Sequence, residues 1–180
     1  MAWLDPCPEL FDNPHMGYLL RTDGLVKRPL NLAYEDLLEL PGQVPDLALL
    51  VPGRRGGGVM LNALLNAAGA CDEAEFITLS TSDGAFSASV PLNQIREQGI
   101  VVYRDVDGPL SEAQGGPVRF LIKDIEACRL GSGEIDRCAN VKHLFRIELS
   151  SSLGRDTRPG TQLEHEALHE DDPGHSSLRD

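Results

Sequence analysis

The chain has 180 residues, 41% of them hydrophobic and 24% charged, and its formal net charge is −12 at pH 7. That length suits one domain with a substantial core. The acidity disfavours partners with anionic surfaces, such as nucleic acid, because no basic run is longer than Arg54–Arg55. Every apolar run is shorter than the roughly 18 residues that a membrane span needs. We therefore expect a small globular domain with neither a nucleic-acid partner nor a membrane span.

The N-terminal residues 1–16 contain acids and prolines where a secretory signal would have a basic stretch and then an apolar one. We interpret them as an extended arm that packs Trp3 and Phe11 on the domain. The composition of this arm leads us to expect a cytoplasmic protein.

Short strands and helices alternate in the first half of the chain. Residues 17–32 predict an edge hairpin, and residues 31–40 predict a short amphipathic helix that stops at Pro41–Gly42. The apolar run Asp46–Val51 has the length of a strand. Residues 59–69 have a helical apolar face closed by a glycine.

A glycine-rich basic loop, residues 52–58, joins this predicted strand to the following helix. Glycines let backbone N–H groups converge on an anion, and Arg54 and Arg55 add positive charge. The loop is therefore a candidate anion cradle. The alternative is a flexible surface connection.

The second half of the chain is rich in β-branched residues. Residues 75–80 and 85–90 predict a strand pair around a turn in which Asp83 bonds to its own backbone. Residues 91–99 predict a short helix with proline at its first position. Two further strands follow, at 100–103 and 118–122, separated by Asp-Gly and Gly-Gly-Pro turn signals.

Arg119 is the charged residue in the otherwise apolar run Val118–Ile122. An arginine in such a strand costs desolvation unless an anion meets it. The sequence leaves two explanations open: a structural ion pair with a carboxylate, or an anionic ligand.

The four cysteines, at positions 7, 71, 128 and 138, have neither zinc-ribbon spacing nor the density of a disulfide framework. Reduced thiols are the expectation. A metal corner formed by Cys128, Cys138 and His143 remains an alternative, although it lacks a fourth ligand. A redox-labile pair of the two cysteines is another.

The last predicted strand is 141–149, and the composition changes after it. Residues 151–180 contribute −4 of the net charge of −12 and contain few apolar residues. We expect a tail that is mobile or docked by one short helix around residues 162–169. Its histidines could bind a metal weakly, and a solvated tail is the simpler interpretation.

Several short motifs occur together in one order along the chain. They are Phe76–Ser80, Ser82-Asp83-Gly84, Val90-Pro91-Leu92, Val102-Tyr103, Asp107–Leu110, Gly116–Arg119, Val141–Leu144 and Arg146-Ile147. In this order they resemble the oxidoreductase molybdopterin-binding domain, which has the sulfite-oxidase fold. The resemblance covers roughly residues 17–150. It implies an α+β domain of mixed β-sheets with short helices, and the arm 1–16 and the acidic tail 151–180 lie outside it.

The resemblance also implies a ligand, a molybdopterin cofactor that carries phosphate. The candidate cofactor-binding residues are Arg54, Arg55, Asp83, Arg119 and Lys142. Active members of the family supply a cysteine thiolate to molybdenum just before the loop and helix that match Gly53–Leu65. Here that stretch reads Leu49-Leu50-Val51-Pro52, and none of these side chains can ligate a metal.

Two further positions depart from the family pattern, because Gln114 stands where histidine is common and His143 where tryptophan is common. We therefore carry three hypotheses forward. The first is a molybdopterin-binding oxidoreductase domain with weak or no sulfite-oxidase-type activity. The second is a non-catalytic binding module whose anion pocket is empty or repurposed. The third is a thiol-based activity of Cys128 and Cys138. Protein partners and oligomeric state are not predicted.

Overall fold

A computed structural model describes residues 17–128 and 139–158 of the chain. The strands are β1 (Leu20–Gly24), β2 (Leu30–Leu32), β3 (Gln43–Val44), β4 (Gly57–Met60), β5 (Phe76–Thr81), β6 (Ser87–Pro91), β7 (Gly99–Arg104), β8 (Arg119–Ile122) and β9 (Leu144–Ser150). The helices are α1 (Tyr34–Glu39), α2 (Leu61–Ala68), α3 (Leu92–Ile95) and α4 (Ile125–Cys128), with 3₁₀ helices at Leu47–Leu49 and Glu112–Gln114.

The strands form two sheets. One has five strands in the order β2-β1-β9-β5-β6, and the other has four in the order β3-β4-β7-β8. The β1–β9 pair is parallel, whereas the other pairs are antiparallel. The first sheet is therefore mixed, and the predicted α+β class with mixed sheets and short helices is confirmed. Within the described ranges, no helix combines the length and apolarity that crossing a membrane requires.

The four-stranded sheet separates a large core from a small one. Along β7, Val101 and Tyr103 belong to the large core, whereas Ile100 and Val102 belong to the small one. This alternation is the period of two expected of a strand whose two faces are both covered. On β8, Leu121 belongs to the small core. Arg119 lies two residues before it and opposite Val102, so Arg119 is on the face of the small core.

The edge hairpin, the strand pair β5–β6 and the helices α1, α2 and α3 match the sequence predictions. Two predicted strands need correction. The last strand begins at Leu144 rather than residue 141, because the preceding His143 has φ of 53° and interrupts the extended backbone.

The predicted strand Asp46–Val51 is wrong. Asp46 caps a 3₁₀ helix instead, because its carboxylate accepts a hydrogen bond of 2.9 Å from the Ala48 amide. The strand here is β4, which starts inside the glycine run that the sequence predicts to be a loop, residues 52–58. Gly57 and Gly58 suit a strand here because the backbone and side chains of β7 lie directly against them, leaving no room for a Cβ.

Residues 151–158 belong to the predicted tail and continue past β9 along β6. The Thr157 amide donates to the Ser87 carbonyl at 2.8 Å, and the Gly154 amide donates to the Ser89 hydroxyl at 2.9 Å. The predictions for the arm 1–16 and for residues 159–180 lie outside the described residues.

Candidate functional site

The segment Gln114–Pro117 connects the 3₁₀ helix at Glu112–Gln114 to β8, and the site is built around it. Ser111 caps the 3₁₀ helix, since its amide and hydroxyl both donate to the Gln114 side-chain oxygen at 3.2 and 2.8 Å. Gly115 then takes a left-handed conformation, with φ of 87°. The Gly116–Pro117 peptide bond is cis.

Arg119 begins β8 immediately after this segment. One of its terminal nitrogens donates to the Gln114 carbonyl at 2.9 Å. Its Nε is buried and has no hydrogen-bond partner. Burial lowers the pKa of the Arg119 guanidinium, and the positive charge of Arg54 lowers it further. Within residues 17–128 and 139–158, no carboxylate forms an ion pair with Arg119.

On the glycine-rich loop, Arg54 lies close enough to act electrostatically on Arg119, and Arg55 close enough to act on Asp105. The Gln114 side-chain amide donates a short hydrogen bond to the Asp105 carboxylate. This bond, the Val106 amide and the charge of Arg55 hold the pKa of Asp105 below its usual value. The Asp105 carboxylate is thus already engaged by Gln114 and by the backbone.

Lys142, just before β9, contacts the same segment. A Cβ on Gly115 would lie 2.8 Å from Cγ of Lys142, so the lysine stem packs directly on this glycine. Four of the five predicted site residues, Arg54, Arg55, Arg119 and Lys142, therefore gather around Gln114–Gly115. We call these four residues the basic cluster.

Asp83, the fifth predicted residue, lies apart from the basic cluster. It lines an adjacent cavity of about 360 Å³. The cavity is lined by Tyr18, Leu19, Thr81, Ser82, Asp83, Glu112, Gly116, Pro117, His143, Leu144 and Phe145. Because Gly116 and His143 line it while Gly115 and Lys142 border the basic cluster, the cavity and the cluster share one wall.

Asp83 is held as the sequence predicted, in a turn. Its carboxylate accepts hydrogen bonds from the Thr81 hydroxyl at 2.5 Å and from the Ala85 amide at 3.0 Å. These bonds, with a smaller contribution from the charge of His143, lower the pKa of Asp83. Nδ1 of His143 lies 2.7 Å from the Gly116 carbonyl oxygen, which fixes the imidazole at the cavity wall.

Neither cysteine in the described part of the chain lines this cavity. Cys71 lies beyond the end of α2, where its amide donates to the Leu25 carbonyl at 2.9 Å. The Cys128 thiol is buried and donates to the Gln94 carbonyl at 3.3 Å, and burial raises its pKa. A thiol held protonated in this way is a poor nucleophile, which weakens the hypothesis of thiol-based activity. Cys138 lies outside the described residues, so the pairing with Cys128 and the metal corner with His143 stay untested.

Arg104, the last residue of β7, is not among the residues that the sequence indicated. A Cβ on the facing Gly57 would lie 2.7 Å from the Arg104 guanidinium, and one terminal nitrogen donates to the Pro45 carbonyl at 3.2 Å. Its Nε is buried without a partner. The charged end of an otherwise apolar strand was the available signal. We also missed the stacked pair of Tyr18 and Phe145, whose ring centroids are 5.5 Å apart at the cavity wall.

Comparisons with known proteins agree with the resemblance found in the sequence. The family model described as "oxidoreductase molybdopterin binding domain" matches residues 55–152. Among solved structures, the chain is similar to the sulfane dehydrogenase SoxCD from Paracoccus pantotrophus, with a TM-score of 0.54 and 20% sequence identity. The match covers 76% of this chain and 39% of that one, and at such identity it shows the fold. A comparison with curated protein sequences gives no significant match.

Proposed function

The chain belongs to the oxidoreductase molybdopterin binding domain family, and from this premise we propose that it binds a molybdopterin-type cofactor through the cofactor's phosphate at the basic cluster. We further propose that it lacks the thiolate ligation of molybdenum and therefore has weak or no sulfite-oxidase-type activity.

The observation that carries the proposal is the state of Arg119. Its guanidinium is desolvated, its Nε has no acceptor, and Arg54 repels it. Burying a donor without an acceptor costs about 1–3 kcal/mol. A phosphate oxygen would satisfy the Nε and offset the repulsion, because arginine binds phosphate with paired charge-assisted hydrogen bonds. The ion-pair explanation has no carboxylate partner in the described part of the chain.

The surroundings of Arg119 support an anionic ligand as well. The chain as a whole carries a net charge of −12, so binding phosphate requires a local surplus of positive groups. Arg54, Arg55 and Lys142 supply this surplus. The Asp105 carboxylate, on which Arg55 acts, accepts hydrogen bonds from Gln114 and Val106.

The described residues thus fit the phosphate-bearing part of a pterin cofactor, and they do not fit a molybdenum ion held by a cysteine. Leu49 and Leu50 are exposed, and Val51 packs on the small core, in the stretch where the family supplies its thiolate. When bound, the cofactor would supply the redox chemistry. The role of this chain's own residues is to hold its phosphate.

The test is expression in a host that makes the cofactor. Metal content is measured by mass spectrometry of the purified protein, and bound pterin by fluorescence after release and oxidation. We expect pterin to copurify with the protein and molybdenum to be substoichiometric to it. Arg119→Ala should lower the recovered pterin at least about tenfold, since a charge-assisted hydrogen bond contributes about 1.5–3 kcal/mol.

Arg96→Ala is the matched control. Its guanidinium donates to Asn62 and Asn66 at 2.8 and 3.0 Å, on α2 and away from the cavity lining. We expect this variant to retain wild-type pterin. Absence of pterin from the wild-type protein would contradict cofactor binding, and a full equivalent of molybdenum would contradict the loss of metal ligation.

The second candidate is a non-catalytic module that binds another small anion. Gln114 favours it, because its side chain is committed to Ser111 and Asp105 rather than turned to the cavity. Calorimetry with inorganic phosphate separates the two candidates. Phosphate binding that depends on Arg119, without recovery of pterin from a competent host, would favour the module.

A further inference from the structure

Apolar side chains are exposed at the rim of the basic cluster on two neighbouring segments. Leu49 is 78%, Leu50 38% and Val106 64% exposed. The two segments touch, because Gly56 lies directly against the backbone of Arg104 and Asp105. We define the apolar–basic surface as Leu49, Leu50, Val106, Arg54 and Arg55.

Single exposed apolar residues are normal on protein surfaces. In the described part of the chain, however, three of the five exposed large hydrophobic side chains fall on these two touching segments. Exposed arginines flank them in a strongly acidic chain. An apolar patch with a charged rim is typical of a docking surface whose partner has apolar anchors and the opposite charge.

The chain itself contains a segment with that chemistry. Residues 162–172 read QLEHEALHEDD, which places two leucines among five acids and no lysine or arginine. The leucines are Leu163 and Leu168. Acids of this segment complement Arg54 and Arg55, and its leucines complement the exposed apolar side chains.

The chain that follows the described residues is long enough to cross the domain. The described chain ends at Arg158, which donates to the Ser89 carbonyl of β6 at 3.1 Å. Ten residues of extended chain, from Arg158 to Leu168, span up to about 35 Å. That is comparable with the diameter of a domain of this size.

We propose that residues 162–172 dock on the apolar–basic surface of the same chain. Docking in this way covers the exposed leucines and places carboxylates beside Arg54. It also makes the segment a competitor of the phosphate ligand. This competition rests on the proposed function, whereas the docking itself does not.

The docking is tested by ¹⁵N NMR of the full chain without phosphate or pterin. In the wild-type protein, heteronuclear NOE values of residues 162–172 should be higher than those of a freely mobile tail. They should fall in the double variant Leu49→Ser, Leu50→Ser. The control is Leu38→Ser on α1, a leucine that is 44% exposed and is not part of the apolar–basic surface. It should leave the NOE values unchanged. High salt should reproduce part of the loss, because surface charges are screened.

A charge exchange gives a second, independent readout. Arg54→Glu with Arg55→Glu should release the segment, and adding Glu170→Arg, Asp171→Arg and Asp172→Arg should restore the NOE values. NOE values that are equal in the wild type and in both surface variants would overturn the proposal. Values that fall on dilution would also overturn it, because they would assign the surface to a second copy of the chain.

The competition is measured by calorimetry with inorganic phosphate. Neutralising the acids of residues 162–172 to amides should tighten phosphate binding about two- to tenfold, which corresponds to a docked fraction of about one half to nine tenths. Phosphate binding that does not change would refute the competition. Phosphate that does not bind at all would refute the proposed function and leave the NMR result standing.

Discussion

Arg119→Met should make the ligand-free domain more stable. In the wild type, the buried Nε without an acceptor costs about 1–3 kcal/mol. The bond from the guanidinium to the Gln114 carbonyl contributes about 1.5 kcal/mol of stability, the low end for a charged donor, because this bond is exposed. Methionine has a similar length and gains about 1 kcal/mol from apolar burial on the face that carries Leu121. We therefore expect the free energy of unfolding to rise by about 1 kcal/mol.

Urea denaturation measures this change, and thermal unfolding should show a midpoint about 2–4 °C higher. Arg96→Met is the control, and it should change the stability in the opposite direction, because Asn62 and Asn66 accept hydrogen bonds from Arg96. It should lose about 1 kcal/mol. Excess phosphate should stabilise the wild type and leave Arg119→Met unchanged. Destabilisation of Arg119→Met by more than about 1 kcal/mol without ligand would refute the reasoning, because it would mean that Arg119 has a structural anionic partner.

Three further substitutions test the site and its scaffold. Gly115→Ala should cost about 1–2 kcal/mol in urea denaturation, because φ is 87° there and the new methyl group would displace Lys142; an unchanged midpoint would contradict the left-handed turn. Asp83 has a folded-state pKa below its unfolded value, so it contributes stability above about pH 4 that is lost as the pH falls through the folded pKa. Asp83→Asn should therefore be less stable than wild type at neutral pH and equal to it in acid, and a parallel pair of pH–stability curves would count against this. Asp23→Asn should lower the free energy of unfolding by about 2 kcal/mol in the same urea assay, because the buried carboxylate accepts hydrogen bonds from Arg21 and Arg146 at 2.6 and 3.0 Å. A loss below about 0.5 kcal/mol would show that these two ion pairs contribute little to stability.

The elements with a strong local signal could be predicted from the sequence. Alternation in β5 to β8 and the glycine that closes α2 depend on neighbours within a few residues, so a pattern along the chain reports them. The stretch around Asp46–Val51 could not be predicted in this way. Its apolar residues suit a strand, but the Asp46 cap and the small core around Leu47 turn it into a 3₁₀ helix, and the neighbouring sheet position goes to Gly57–Met60.

The candidate site was predictable as a set of residues and not as a geometry. Arg119 stood out because a charge in an apolar strand needs an explanation. Its separation from Asp83 depends on how the two sheets meet, which no local pattern contains. Arg104 was missed for the same reason, because its packing on Gly57 becomes visible only when β4 and β7 pair.

The free-energy cost of Arg119 bears on the choice between a cofactor-binding domain and an inert scaffold. The small core around Val102 and Leu121 is apolar, and an apolar residue at position 119 would extend it. A chain that used the fold only as a scaffold would gain stability from that replacement. In the stretch where the family supplies its thiolate, Leu49 and Leu50 are exposed and add nothing to either core, whereas Val51 packs on the small core. A costly arginine that faces other cations is therefore best explained by an anion that binds there, and the missing cysteine restricts the chemistry that this anion can support.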